Sequence, residues 1–204
     1  MKINSSSLKH VIQNATLPGP PANAFYQATC VFLLLFDKQE PHFLAILKSD
    51  NEGYPWRNQV ALPGGHVDQD DGGPVDTAFR ELKEELNIAR DQVEFIGSIG
   101  HFQTINNRDI EVYIGLWNGK GPVLYASEEI ERVLEIPLKR LMRIHIDADF
   151  HGHLSSDIPE LIYPLQDVVI WGVTARILHY FIELFYPLFT SQEVQRFKGA
   201  DAQR

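Results

Sequence analysis

Residues 79–86 read FRELKEEL, which sets Glu81, Glu84 and Glu85 within five positions beside Arg80. On a helix turning about 100° per residue, Ala78, Phe79, Leu82 and Leu86 share one arc and form a core face. Glu81, Glu84 and Glu85 fall contiguously on the neighbouring arc, while Lys83 points elsewhere. Arg80 lies one turn before Glu84 and can pair with it. Glu81 and Glu85 are like charges at i,i+4 and repel by ~0.2–0.5 kcal/mol on a bare helix. A hard divalent cation between them turns that repulsion into attraction, because Mg2+ and Mn2+ prefer carboxylate oxygens. A solvated helix face has the same composition, so spacing alone makes this a candidate divalent-metal helix.

The elements around it must position such a helix. Pro63-Gly64-Gly65 forms a bend just upstream, where backbone approaches something closely and a glycine carbonyl becomes a candidate oxygen ligand. Pro74 suits the first turn of the helix over VDTAFRELKEELN, and Asn87 suits a left-handed stop. ATCVFLLLF and HFLAIL are apolar runs of strand length separated by DKQEP, and VEFIGSIG and DIEVYIGLW are further strands. SEEIERVLEIPLKRLM mixes a strand with a short helix, and a long apolar helix is expected from about Val169 to Tyr186. At the start, Ser7 is a candidate cap for a short helix over LKHVIQ. The organisation expected is a leader or short helix over 1–25, one domain over 26–190, and a tail over 191–204. Interleaved strands and helices with antiparallel turns predict a mixed α/β sandwich with one core, not a doubly wound parallel sheet.

Composition narrows the function classes. The chain has 204 residues, 44% apolar and 22% charged, with a formal net charge of −9. That balance, with no long basic run, argues against nucleic acid or an anionic membrane as a general partner. An anionic substrate would then need local cations, from Arg, Lys or a bound metal. Cys30 is the only cysteine, which excludes a disulfide framework and a cysteine-rich zinc site. The first residues lack an apolar signal core, and the late apolar stretch carries Asp167, Arg176, His179 and Glu183, costly in lipid. The expected setting is the cytoplasm, with the late helix buried or forming a homodimer face.

The stretch LPGGHVDQDDGGPVDTAFRELKEELNI closely resembles the Nudix box. That pattern runs Gly, five residues, Glu, seven residues, then Arg-Glu-apolar-any-Glu-Glu-any-Gly-apolar. Arg80, Glu81, Leu82, Glu84, Glu85 and Ile88 match the second half without a gap, and Asn87 stands for the final Gly. In the first half, Gly72 and His66 stand at the positions of Glu and Gly. One extra loop residue puts Gly65 and Asp71 in those roles. The longer loop, with Pro63, Gly64, Gly65, Asp68 and Asp71, resembles the coenzyme A pyrophosphatase branch of the family. QVALPGG, VIWGVTARIL and SEEIERVLEIPL resemble segments of the same branch, so the likeness spans roughly residues 25–185. That branch also has two arginines and a glycine before the PGG, where LKSDNEGYPWRNQV offers Lys48, a displaced Arg57 and Asn58.

The resemblance implies a Nudix-like α/β/α sandwich and hydrolysis of a nucleoside diphosphate linked to another moiety, with coenzyme A or a derivative as one candidate. It implies Mg2+ or Mn2+ held by Glu81, Glu85 and Glu84, joined by the Gly65 carbonyl and Glu129. Arg80 would orient the glutamates by a charge-assisted hydrogen bond and pair with Asp71. The general base stays open between Glu81 and Glu129. Lys48, Arg57 and Arg108 are candidate substrate-phosphate contacts or plain surface charges, and Trp56 is a candidate adenine stacker or a packed loop residue. An ADP-ribose or NADH-type pyrophosphatase, and a non-catalytic nucleotide sensor, are the alternatives.

One constellation falls outside the box. In HIDADFHGH, His145, Asp147, Asp149, His151 and His153 alternate, and would share a face if the segment were extended. That face could hold a transition metal, or it could be the polar side of an edge strand.

Overall fold

A computed structural model describes residues 3–23, 25–51, 57–125 and 128–201, with side chains up to residue 190. The frame is one mixed sheet. Strands β1 (Gln27–Asp37), β2 (Pro41–Lys48), β3 (Val60–Ala61), β4 (Gly64–His66), β5 (Val93–Gln103), β6 (Arg108–Trp117) and β7 (Ile130–Pro137) form it in the order β3-β2-β1-β6-β5. Off this path, β4 pairs with β1 and β7 with β2. Only the central pair β1–β6 is parallel, and every other pairing is antiparallel.

The strand alternation in β1 divides the core. Cys30, Phe32, Leu34 and Phe36 face helix α2 (Pro74–Leu86), meeting Ala78, Phe79, Leu82 and Leu86. Val31, Leu33 and Leu35 face the other way, into a core with Leu8 from α1 (Ser5–Asn14), Leu138 and Leu141 from α3 (Leu138–Asp147), and Leu178, Phe181 and Phe185 from α4 (Gly172–Asp201). Because successive side chains of a strand point to opposite faces, an apolar run such as TCVFLLLF is the signature of a strand covered on both sides. The result is the expected α/β/α sandwich.

Several local expectations shift. Asn4, not Ser7, caps α1, its Oδ1 accepting from the Ser7 amide at 3.0 Å. The late helix begins at Gly172 rather than Val169, because Val168–Ile170 pair antiparallel with Tyr163–Leu165 as a small hairpin, β8 and β9. The apolar face of α4 is buried against its own sheet, with Phe181, Ile182 and Phe185 fully covered. Among the described residues no helix is long and apolar enough to cross a membrane. The extended reading of HIDADFHGH is corrected: His145 and Asp147 lie on α3, and Asp149 has φ 58°, so the alternation defines no shared face. The helical periodicity of LKRLMRIHID, with Leu138, Leu141 and His145 all buried on one side, outweighs the polar alternation.

Asn87 stops α2 in the left-handed conformation, at φ 56° and ψ 27°, and its amide donates to Leu82 and Lys83 carbonyls. Its side-chain oxygen also accepts from Lys83 Nζ at 2.6 Å. Replacing Asn87 by Ala keeps the conformation but adds the left-handed strain of an ordinary side chain, an expected loss of ~1–2 kcal/mol in urea unfolding. Asn87→Gly should lose much less, and equal losses for the two would remove strain as the reason for Asn at this stop.

Candidate active site

The site forms where the C-terminal half of α2 meets the turn into β4. Gly64 has φ 147°, and a Cβ there would sit 2.1 Å from the Cys30 carbonyl oxygen. At Gly65 a Cβ would sit 2.2 Å from Glu81 Oε1. Gly64 is therefore required by its close approach to the backbone of β1, while a side chain at Gly65 would displace the Glu81 carboxylate. Phe32 donates its amide to the Pro63 carbonyl at 2.9 Å, which fixes the bend on β1.

The three helix glutamates have different surroundings. Glu85 is buried, its side chain 8% exposed; Oε2 accepts from the Gly64 amide at 2.9 Å and Oε1 from Lys48 Nζ at 2.9 Å. Glu81 lies over Gly65 and accepts from Arg80 Nη1 at 2.9 Å. Glu84 is largely exposed and accepts from the same Nη1 at 2.8 Å. Burial pushes the pKa of both Glu81 and Glu85 upward, against the opposing pull of Arg80 on the first and Lys48 on the second. Two carboxylates in this condition are short of positive charge.

Arg80 is held from its other edge by Asp71. Nε donates to Oδ1 and Nη2 to Oδ2, both at 3.1 Å, the planar fork matched to a carboxylate. Asp71 Oδ2 also accepts from Thr77 Oγ1 at 2.6 Å. The Arg80 and Thr77 hydrogen bonds hold the Asp71 pKa down to about 2, and Arg80 is raised in turn, first by Asp71. Asp71 thus takes the Arg80-pairing role expected of it, and Arg80 links the loop to Glu81 and Glu84.

The substrate-contact candidates separate. Lys48 is the partner of Glu85. Arg108 donates to His66 Nε2 at 2.5 Å, immediately after the two glycines. Arg57 is exposed, 3.8 Å from Asp50, and Trp56 lies outside the described residues. Glu129 is exposed at the start of β7, where its carbonyl accepts from the Ser49 amide at 3.0 Å, next to Lys48.

Two residues were missed in the sequence. In the sheet, Cys30 pairs with Gly65 on one side and Glu111 on the other, which puts Glu111 on the row of the candidate site. Its Oε2 accepts from Tyr113 OH at 2.6 Å. Burial first, then Glu81 and Glu111, pushes the Cys30 thiol up to about 12, so Cys30 stays protonated among these acids. His66 is the second: burial and then Arg108 lower its pKa. The alternation of DIEVYIGLW put Glu111 on the face of Tyr113, but only the register of β1 against β6 shows that this face meets Gly65.

The donor set here is carboxylate and carbonyl oxygen, which suits a hard divalent cation. Glu81 and Glu85 could hold it, with Glu84 on the same helix and Glu111 on the neighbouring row of the sheet.

The chain is similar to known proteins in sequence and in fold. The family model for the NUDIX domain matches residues 26–157. A Yersinia pestis protein called an uncharacterized Nudix hydrolase NudL is 28% identical over 161 residues, covering 78% of this chain and 79% of its own. A Yersinia pseudotuberculosis protein of the same name matches equally. Among solved structures, a MutT/nudix family protein from Enterococcus faecalis superposes with a TM-score of 0.52 at 17% identity, covering 92% of this chain and 76% of that one. A Deinococcus radiodurans protein does so with a TM-score of 0.50 at 14% identity, covering 78% and 85%. These two show the fold.

The different surroundings of the glutamates give different stability effects in the metal-free protein. Glu81 has a folded pKa above its unfolded one, so its ionisation weakens the fold as pH rises through the carboxylate range. Glu81→Gln removes that loss and is expected to raise the melting temperature at neutral pH while flattening its acid-side pH dependence. Glu85→Gln also removes a buried carboxylate but gives up the ion pair with Lys48, so its melting temperature is expected to rise less than that of Glu81→Gln. Thermal unfolding in chelator checks both, and a Glu81→Gln protein less stable than the parent would contradict the burial argument.

Proposed function

Since the chain belongs to the Nudix family, we propose that it is a divalent-metal-dependent hydrolase of a diphosphate linkage in a nucleoside diphosphate joined to another moiety. The observation that carries this reading is the pair of buried, charge-deficient carboxylates, Glu81 and Glu85, pinned on Gly64-Gly65 by Arg80 and Lys48. A diphosphate is anionic on both phosphoryl groups, and in a protein of net charge −9 it can approach these carboxylates only with a cation between. Mg2+ or Mn2+ held by Glu81 and Glu85, with Glu84 and the Gly65 carbonyl as further oxygen donors, would neutralise the phosphates and make a bound water more nucleophilic.

The chain's own residues supply the rest. Water attacks one phosphorus, the bridging P–O bond breaks with its electron pair on the leaving phosphate, and two phosphorylated products result. The water's proton passes to a carboxylate, with Glu81 and Glu129 as candidates. Glu81 has the support of burial, which raises its proton affinity. Arg80 keeps Glu81 and Glu84 oriented through its fork on Asp71. Arg108 and His66 lie on the PGG side, where a phosphate would meet them, and Arg57 and Trp56 belong to the upstream loop expected to meet the nucleotide or its partner group.

For the moiety beyond the diphosphate, the Pro63-Gly64-Gly65 loop with Asp68 and Asp71 favours coenzyme A or a derivative. Lys48 bears on that preference. It stands in the upstream segment where the branch has an arginine, and it is engaged with Glu85. ADP-ribose or an NADH-type dinucleotide is the second reading. The intact acids Glu81, Glu84 and Glu85 speak against a non-catalytic nucleotide sensor.

A panel assay of phosphate-bearing product release, with Mg2+ or Mn2+ against coenzyme A, ADP-ribose, NADH, dinucleoside polyphosphates and nucleoside triphosphates, tests the reading. Turnover is expected on at least one diphosphate of the panel, and Glu85→Gln should lower it by about 100-fold or more. Undiminished turnover in Glu85→Gln would sink the metal role, and binding without turnover of any substrate would favour the sensor.

Acid should act through the metal as well. Protons and cation compete for Glu81 and Glu85, and burial raises both pKa values. At limiting metal, activity is therefore expected to start falling at a higher pH than an exposed glutamate would dictate, and excess metal should restore it. An apparent metal affinity that stays flat from neutral pH into the carboxylate range would refute the assignment.

A further inference from the structure

A second cluster lies across the sheet from α2, on elements the proposed chemistry does not use. His145 is fully buried at the last turn of α3, His151 stands in the turn beyond it, and Glu183 comes from α4. His145 Nε2 is 2.7 Å from Glu183 Oε1, and His151 Nδ1 is 2.8 Å from the same oxygen. One ligating atom from each of the three lies within 4.8 Å of the other two.

From this convergence we propose that His145, His151 and Glu183 form a binding site for a transition-metal ion of the Zn2+ class, separate from the site on α2. The donor chemistry selects the ion. Two imidazoles and one carboxylate suit Zn2+ or Co2+, whereas Mg2+ and Mn2+ favour the oxygen set on the other face.

Every ligand is also oriented by a further contact, as a ligand set needs to be. His145 Nδ1 is 2.9 Å from Tyr163 OH, and the two rings lie nearly parallel at 7°. An ion would take the place of the proton between Nε2 and Glu183, with Nδ1 keeping its proton towards the Tyr163 oxygen and Nε2 offering its lone pair to the ion. Glu183 Oε2 accepts from the Gly152 amide at 3.1 Å, and the His151 ring stacks on Tyr186 at 3.7 Å. A zinc ligand sits ~2.0–2.2 Å from the ion, so two tetrahedral donors stand a little over 3 Å apart. Here both nitrogens lie closer than that to the carboxylate oxygen, so an ion is admitted by a small outward shift of His151, on its turn, together with a turn of the Glu183 carboxylate away from His145. Its side chain is 41% exposed, which gives an ion access from solvent and leaves the fourth position to water.

One more imidazole belongs to this neighbourhood. His179 precedes Glu183 by one turn of α4, its ring is 5.0 Å from that of His145, and it is 4% exposed. Its Nε2 meets the His153 carbonyl at 3.0 Å, while Nδ1 is buried with no hydrogen-bond partner. Such an atom is costly in a purely structural network. A bound ion tying α3, the turn 148–153 and α4 together would set the docking of α4 on the sheet.

The test is titration of the full-length chain with Co2+ and Zn2+ in the presence of excess Mg2+, on the Glu81→Gln background to disable the other site. Calorimetry reads stoichiometry, and the visible spectrum of Co2+ reads coordination by nitrogen in a low-symmetry site. One equivalent is expected, with Mg2+ unable to displace it. His151→Ala, at an exposed turn position where folding should persist, is expected to weaken it by roughly 100-fold, and Glu183→Gln by a similar factor. Circular dichroism confirms that each variant is folded. Absence of a bound equivalent, or binding unchanged in folded His151→Ala, would overturn the proposal.

Discussion

The candidate active site rests on one constraint, the burial of two like-charged carboxylates against a backbone that has no side chains to give way. Glu81 lies where any Cβ on Gly65 would be, and Glu85 is tied to the Gly64 amide. Glu85 cannot turn out to solvent without releasing the Gly64 amide, and the bend is held on β1 by the Pro63 carbonyl and by the pairing of β4. Burial of charge is unfavourable unless it is matched. Lys48 and Arg80 match it in part, since both pKa values remain raised. What is left is a pair of carboxylates whose burial is only partly matched.

The sheet exists, in this light, to deliver that bend to that helix. β1 is the hub: its Cys30-Phe32-Leu34-Phe36 face receives α2, its edge receives β4, and its parallel partner β6 brings Glu111 onto the same row. Arg80 then couples the helix to the loop, because the fork on Asp71 fixes the guanidinium in one orientation and leaves Nη1 for Glu81 and Glu84. The odd spacing of the loop, with its one additional residue, changes which acid performs this task while keeping the task itself.

How much of this the sequence carried depends on how far apart the interacting residues are in the chain. The core face of α2, with neighbours three or four residues apart, and the Arg80–Glu84 pair follow from helical periodicity, and Pro74 and Asn87 mark its ends by residue type. The Arg80–Asp71 fork spans nine, and came from the family spacing rather than from periodicity. Lys48 and Glu85 are 37 apart, and nothing local distinguishes a lysine that meets a phosphate from one that meets a metal-binding glutamate. Glu111 needed strand register, which alternation alone does not supply, since a shift of one residue moves every side chain to the other face.

HIDADFHGH shows the same limit from the opposite side. Polar alternation suggested five residues on one extended face, but the apolar spacing of Leu138, Leu141 and His145 makes its first residues helical and removes that face. Two of the five histidines and aspartates nevertheless converge, because the partner that gathers them is Glu183, which is 32 residues from His151 and 38 from His145. In the sequence Glu183 appeared only as a charge that made the late apolar helix a poor membrane span. Placed on α4 one turn after His179, it explains why so apolar a helix carries polar groups in mid-length: they face α3 and its following turn, where imidazoles meet them. Of the charges that argue against lipid, Glu183 thus meets α3 and its following turn, while Arg176 donates to the Gln103 carbonyl of β5.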